Sequence, residues 1–370
     1  MKRVRYKSFR KLHKVNDEIV LPALTRASSV CTDRVGLLRE ADKIQYCGDA
    51  INTVQCNDCG TNHFKSFVRC KSKFCTLCQR VKSSLWTAHL YSWLKQWLEQ
   101  GNYVVFLNLT IKDTDKLSDG LSHLEGAWRL MTGKRYRKAF LTKFPGGFRS
   151  IEVKTGENSG QWHPHIHALV LKKKFSNDTK FLHYVWPKCV AECGGYAQNL
   201  KILAFNRKQG ESKEDFDLRL IKAVKEVCKY ITKFDWEKET PERVGEMYSA
   251  LRGKRQYSVW GALVNVRNAV EQDLSTKSDK EIENFVCQKC GCTSGHPNKL
   301  YRAIWDSEDE PIIVDYKTST PETVVTGHDL ERLKVANNLT TMQQRSQQRE
   351  WVQEQLDLGA FAHRHLDLKT

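Results

Sequence analysis

The sequence predicts an α+β protein whose central antiparallel sheet is flanked by helices. Strand-like and helix-like segments alternate between residues 103 and 270, and the strand-like segments 148–154 and 162–171 are separated only by the polar turn 155–160. Because so short a turn requires antiparallel pairing, the pattern favours an α+β sandwich with helices on one side of the sheet.

The elements follow from local periodicity and divide the chain into four segments. A basic arm at 1–46 precedes a zinc-binding module and linking helix at 47–100, a sheet domain at 101–270 and a C-terminal region at 271–370. Predicted helices lie near 79–99, 121–141, 181–192, 214–234 and 339–358, with strands at 103–111, 148–154, 162–171, 196–204 and near 301–316. The stretch 252–267 is basic and β-leaning.

The composition indicates a soluble protein with an anionic partner. Sixty Lys and Arg against 43 Asp and Glu give a formal net charge of +17 over 370 residues. An excess of this size favours nucleic acid, although a merely basic soluble protein has the same balance. No apolar stretch reaches the roughly 18 residues that span a bilayer, and no signal-peptide segment follows the basic N-terminus. We therefore expect no membrane association.

Three histidines alternate along one apolar run, at His163, His165 and His167. In a strand these side chains share one face, while the opposite face can pack on a core. Imidazoles arranged this way indicate a divalent metal site, which a carboxylate commonly completes. Glu152 on the preceding strand joins this face only if it pairs with an odd-numbered residue, as it would opposite His165. Because His163 precedes a proline, we favour His165 and His167 as the ligand pair.

The predicted helix 214–234 carries a polar stripe beside its apolar face. Glu226, Tyr230 and Lys233 stand at positions i, i+4 and i+7. A tyrosine can attack a phosphodiester when a metal ion polarises the phosphate and a lysine balances the developing charge. Glu226 could then activate a water or a hydroxyl in a later step. Such a stripe is also typical of a solvated helix face, so the prediction depends on its combination with the histidine strand.

Nine of the thirteen cysteines fall into two clusters. Two CxxC pairs separated by 15 residues predict a structural zinc site formed by Cys56, Cys59, Cys75 and Cys78, with Cys47, His63 and Cys70 as spare ligands. The surrounding Lys and Arg side chains would let this module bind DNA. Alternatively, the zinc site has a purely structural role. The second cluster, at 287–292, could form a second zinc site with Cys287, Cys290, Cys292 and His296, or it could be free thiols in a loop.

Three motifs together resemble the HUH endonucleases. His165-Ile166-His167 resembles their histidine motif, the strand Phe106–Thr110 their first motif, and Glu226–Lys233 their tyrosine helix. Over residues 47–270 the chain resembles the rolling-circle replication initiators of small bacterial plasmids that use one catalytic tyrosine. Like those proteins, it carries a cysteine cluster before the first motif.

This resemblance implies a fold and a reaction. The fold would be the HUH endonuclease fold, an RRM-like palm carrying the histidines. Tyr230 would nick one strand at a single-stranded or hairpin site in the plasmid origin and remain on the 5′ phosphate, and Glu226 would assist termination. Mg²⁺ or Mn²⁺ would be held by His165 and His167, with Glu152 or His163 as third ligand. Host helicase and DNA polymerase would be partners in the bacterial cytoplasm, and a homo-oligomer is compatible with this role.

Two alternatives remain open from the sequence. A single-strand transposase or relaxase of the same superfamily is one, but relaxases usually place the tyrosine before the histidines, and zinc-bearing transposases often carry a second tyrosine where this chain has Glu226 or Phe234. The other is a non-catalytic, zinc-dependent DNA-binding regulator. It accounts for the charge and the cysteines but leaves the histidine strand and the tyrosine stripe unexplained.

Overall fold

The computed structural model describes residues 12–48, 50–173, 179–205, 208–229, 236–274, 286–287, 289–304 and 312–315. Over these ranges the chain has the predicted α+β composition and divides into two compact units. The cysteine unit comprises the described residues of 1–29, 34–81 and 275–370, and the sheet unit comprises those of 30–33 and 82–274. In chain order, most of the sheet unit is therefore an insertion within the cysteine unit.

Nine α-helices and nine strands occupy these described ranges. A short π-helical segment, Asn16–Val20, precedes the helices α1 Leu21–Val30, α2 Arg34–Gln45, α3 Thr76–Glu99, α4 Leu117–Gly133, α5 Arg137–Lys143, α6 Thr179–Glu192, α7 Lys213–Val227, α8 Pro241–Leu251 and α9 Val264–Leu274. The strands are β1 Ala50–Cys56, β2 Asn62–Phe67, β3 Tyr103–Ile111, β4 Gly146–Thr155, β5 Trp162–Lys172, β6 Ala197–Phe205, β7 Tyr257–Gly261, β8 Gly295–Ile304 and β9 Ile312–Asp315.

The cysteine unit contains a four-stranded antiparallel sheet in the order β2-β1-β8-β9. β8 comes from the C-terminal part of the chain and pairs along β1, with Cys56 opposite Gly295. The sequence predicts a separate region at 271–370. In the structure, β8 of this region makes backbone hydrogen bonds to β1 and so belongs to the same sheet as β1 and β2.

The described residues before 46 form helices. Within 16–45 the chain is largely helical, and Leu24, Leu37 and Ile44 are buried. Apolar side chains at helical spacing supply the face that these helices bury. The basic character seen in the sequence belongs mainly to residues before 12, which lie outside the described ranges.

The sheet unit is built on a five-stranded antiparallel sheet in the order β6-β3-β5-β4-β7. Its central strand, β5, carries the three histidines and lies between β3 and β4. No helix within the described ranges is both long and apolar enough to cross a membrane.

Helices cover both faces of this sheet, whereas the sequence pattern favoured helices on one side. On the face that carries the histidines, Trp86 of α3 packs on Phe148 with ring centroids 4.9 Å apart. On the opposite face, Trp128 of α4 packs on Trp260 of β7 at 5.5 Å. The reason is visible in β3 and β5, where almost every residue is buried, as is typical of strands covered on both sides.

Two predicted elements are divided by glycines. The helix predicted over 121–141 becomes α4 and α5, with Gly133 as the last residue of α4. The β-leaning stretch 252–267 becomes β7 and the start of α9, and Gly261 ends the strand at a φ of +58°. A Cβ at Gly261 would lie 1.9 Å from the carbonyl oxygen of Pro145, so no larger residue fits there. The helix predicted near 339–358 lies outside the described residues.

Candidate functional site

The pairing of β4 with β5 brings a carboxylate to the histidine face. Glu152 lies directly opposite His165, and Ser150 lies opposite His167. Directly opposed residues of an antiparallel pair share a face of the sheet. The predicted register, with Glu152 opposite His165, is therefore confirmed.

Glu152, His165 and His167 form a compact group with one ligand atom from each within 4.8 Å of the others. The Oε2 atom of Glu152 lies 3.1 Å from Nε2 of His165 and 3.3 Å from Nε2 of His167. All three side chains are buried, with residue exposures of 3%, 4% and 5%. Two imidazoles and one carboxylate with further positions open are a donor set that divalent transition metals accept.

The tautomer of His165 bears on whether a cation fits this group. Its Nδ1 lies 3.3 Å from the carbonyl oxygen of His163, and only a protonated Nδ1 can donate to that oxygen. A neutral His165 then presents a lone pair at Nε2, 3.1 Å from the Glu152 carboxylate. Two lone pairs facing each other at this distance need a proton or a metal ion between them, so the donors suit a bound cation.

His163 is directed to a different partner. Its Nδ1 lies 2.5 Å from Oδ1 of Asp113, just beyond the end of β3. Burial raises the pKa of Asp113, but hydrogen bonds from Ser159 and His163 outweigh this effect and lower the pKa overall. The structure thus brings His165 and His167 together with Glu152. It pairs His163 with Asp113, a residue that no sequence motif marked.

The C-terminal end of α7 is fastened to the histidine face. Ser150 Oγ donates a hydrogen bond to the carbonyl of Val227, and Tyr257 Oη donates to the carbonyl of Cys228 at 2.8 Å. The first of these anchors is two residues from Glu152 along β4, on the same face. Glu226 forms an ion pair with Lys229, and its side chain is 33% exposed. Tyr230 and Lys233 lie outside the described residues.

The family profile and the two similar proteins described here are all replication proteins by name. The profile of a family described as "Replication protein" matches residues 62–290, more than half of the chain. The chain belongs to this family. "Protein rep" of Streptococcus pneumoniae serotype 2 (strain D39 / NCTC 7466) is 26% identical over 259 residues, covering 65% of this chain and 77% of that protein. "Protein rep" of Lactiplantibacillus plantarum is 24% identical over 266 residues, covering 66% and 77%. No solved structure gives a significant match.

The predicted resemblance of this replication protein to plasmid replication initiators is thereby confirmed. The family match contains the whole five-stranded sheet and the histidine strand. It ends at Cys290, within the second cysteine cluster.

The cysteines of this replication protein gather differently from the predicted site. Two groups of four thiols could each hold a metal ion such as zinc: Cys47, Cys70, Cys75 and Cys78 form one, and Cys56, Cys59, Cys287 and Cys290 form the other. The four cysteines predicted as one site are therefore split between two groups. Cys292 packs against the second group without belonging to it. Pairing of β8 with β1 brings the distant segments together, and sequence spacing carries no information about that pairing.

Proposed function

We propose that this replication protein initiates plasmid rolling-circle replication as a metal-dependent DNA endonuclease and strand transferase. It would nick one strand at the double-strand origin through Tyr230 and form a 5′-phosphotyrosine ester. The observation that carries the proposal is the buried Glu152, His165 and His167 group, with the end of α7 fastened beside it.

The residues of the group have separate tasks. His165 and His167 offer neutral nitrogen donors, and Glu152 supplies the negative charge that offsets a divalent cation. Mg²⁺ or Mn²⁺ bound there would polarise a phosphate oxygen of the DNA. The hydrogen bond from His165 Nδ1 to the His163 carbonyl keeps the ring oriented with Nε2 toward the group.

Chain geometry supports Tyr230 as the nucleophile. It follows Val227 by three residues, and three residues span at most about 11 Å. Ser150, which anchors Val227, is about 7 Å along the strand from Glu152. The phenol would lose its proton as its oxygen bonds to phosphorus, and the bond from phosphorus to the 3′ oxygen would break. The leaving 3′ oxygen would take up a proton, so that the step has no net proton change. Lys233 would balance charge on the phosphate, and Glu226 would activate the attacking hydroxyl or water at termination.

The products fit the proposed partners. The nick leaves a free 3′ hydroxyl that a host DNA polymerase can extend in the bacterial cytoplasm, and a host helicase would open the duplex ahead of it. The protein keeps the 5′ end covalently until the closing strand transfer.

The decisive test is formation of a covalent adduct. The full chain is incubated with single-stranded origin oligonucleotides and Mn²⁺, and the adduct is resolved on a denaturing gel. We expect an adduct with the wild type and none with Tyr230→Phe. Tyr196→Phe is the matched control, because the Tyr196 side chain is 76% exposed and should be dispensable. A wild type without adduct, or a Tyr230→Phe variant that matches it, would overturn the proposal.

A further inference from the structure

We infer that the cysteine unit binds two zinc ions and that one of them is held jointly by the two distant parts of this unit. Cys56 and Cys59 at the end of β1 would supply two ligands, and Cys287 and Cys290 the other two. This shared zinc site does not depend on the nuclease chemistry proposed above, since its ligands all lie in the cysteine unit.

The sulfur positions match metal ligands rather than disulfides. In the shared zinc site, Cys56 Sγ lies 3.5 Å from Cys290 Sγ, and Cys59 Sγ lies 3.5 Å from Cys287 Sγ. A tetrahedral ion with bonds of about 2.3 Å to sulfur separates its ligands by about 3.8 Å. Sulfur atoms in a disulfide are only about 2.05 Å apart. All thirteen cysteines are free thiols.

The two halves of the shared zinc site have the same local structure. Each half has the sequence Cys-x-x-Cys-Gly, and in each the glycine N–H donates to the first cysteine's carbonyl, from Gly60 at 3.0 Å and from Gly291 at 2.9 Å. Both glycines have a positive φ, +67° and +76°. The first cysteine's N–H also donates to the carbonyl five residues later in both halves. Such paired turns present two thiolates each to one tetrahedral ion.

The surroundings of the shared zinc site suit a buried ion. Cys56 and Cys287 are 1% and 0% exposed and pack with Val54. His63 Nε2 lies 3.3 Å from Cys287 Sγ, where a ring N–H can donate to a thiolate and support the ligand. Cys56 is paired with Gly295, the first residue of β8, so an ion here links the end of β1 to the segment just before β8.

A second group of four cysteines would bind the other zinc ion. Cys78 Sγ lies 3.5 Å from both Cys47 Sγ and Cys70 Sγ, and Cys75 completes the set at the start of α3. Its ligands all come from the N-terminal part of the unit. The two zinc ions therefore differ in the length of chain that they close into a loop. Of the two, only the ion in the shared zinc site links Cys59 to Cys287, 228 residues later, and the loop between them contains most of the sheet unit.

Metal stoichiometry of the purified full chain tests the inference. After reconstitution with Zn²⁺ under reducing conditions and desalting, elemental analysis should find two zinc ions per chain. Cys290→Ser and Cys70→Ser should each retain one, while Cys292→Ser and Cys189→Ser retain two. Tyr230→Phe should also retain both, which separates this result from the nuclease test. A single zinc ion in the wild type, or no loss in Cys290→Ser, would overturn the shared zinc site.

A second measurement guards against misfolded variants. Zinc released from the wild type by a thiol-modifying mercurial is titrated with a chelating dye, which counts the ions without any substitution. Limited proteolysis then follows the C-terminal segment. Cys290→Ser should accelerate cleavage between β8 and Cys287 while Cys292→Ser leaves it unchanged. Equal protection in both variants would contradict a site that ties this segment to β1.

Discussion

Glu152 is a carboxylate buried between two imidazoles, a placement that is costly without a compensating cation or proton. The surroundings of Glu152 therefore differ from those of His163, whose ring contacts the carboxylate of Asp113 instead. Alternation along the strand marks all three histidines as equivalent. The pairing of β4 with β5 and the position of Asp113 make them different.

This difference leads to a prediction for the ligands. Glu152→Gln and His167→Ala should lower Mn²⁺-dependent adduct formation by about 100-fold or more, because each removes a donor from the group. His163→Ala should stay within about 10-fold of the wild type, because its contact with His165 is made by the backbone carbonyl, which alanine retains. The measurement is the adduct rate as a function of Mn²⁺ concentration. An equal loss in His163→Ala would show that His163 is a ligand.

Glu226 precedes Tyr230 by four residues in the sequence; it lies near the end of α7, is partly exposed, and is paired with Lys229. We expect Glu226→Ala to nick origin DNA at a near-normal rate but to fail in termination, because activation of the last nucleophile is lost. Replication products separated on a gel should then be multimeric single strands. Glu226→Gln is the size-matched comparison, and monomeric circles from both variants would reject this role for Glu226.

The position of the C-terminal end of α7 depends on contacts with two strands of the sheet. Its apolar face and the Ser212 cap, which accepts a hydrogen bond from the Asp215 N–H, define the helix and its start. Its seating on the histidine face depends on Ser150 and Tyr257, side chains of β4 and β7. The sequence contains no sign of these contacts, because each joins segments that are far apart along the chain.

Ser150→Ala tests this seating. It removes a donor from the buried Val227 carbonyl and should lower the free energy of unfolding by about 1–3 kcal/mol. Adduct formation should fall further than this loss of stability alone explains, because the end of α7 is less well positioned. Thr142→Ala is the control, since Thr142 makes an exposed bond to a carbonyl within α5. Denaturant unfolding and adduct rates should be measured together, and a normal rate in Ser150→Ala would contradict the positioning role.

The net charge of +17 is a property of the entire chain and should control its general affinity for DNA. Each phosphate that the protein neutralises releases counterions, so affinity falls with salt. We expect binding to duplex DNA of unrelated sequence to weaken by about 10-fold or more between 50 and 200 mM NaCl. Fluorescence anisotropy checks this, with sucrose at equal osmolality as the control. Affinity independent of salt would argue against a phosphate-binding surface.

Local patterns were sufficient for a large part of the structure. The alternation in Trp162–Val170 and the tight turn before it predicted β4 and β5 within two residues. The apolar spacing predicted a helix over 214–234, of which α7 covers Lys213–Val227, and the motif set predicted the family. These features depend on periodicities of neighbouring residues, which the sequence displays directly.

Contacts between distant segments were decided by the tertiary structure alone. The spacing of the two CxxC pairs predicted one zinc site, but spacing does not tell which cysteine pairs meet in the folded chain. The pairing of β1 with β8 places Cys56 and Cys59 beside Cys287 and Cys290 instead. The sequence by itself determined the α+β class and the alternation that places the three histidines on one face of β5. Strand pairing determined which donors share a site, because the register of the backbone hydrogen bonds brings the ligands together. One alternating pattern is compatible with more than one register, so the sequence alone does not fix that choice.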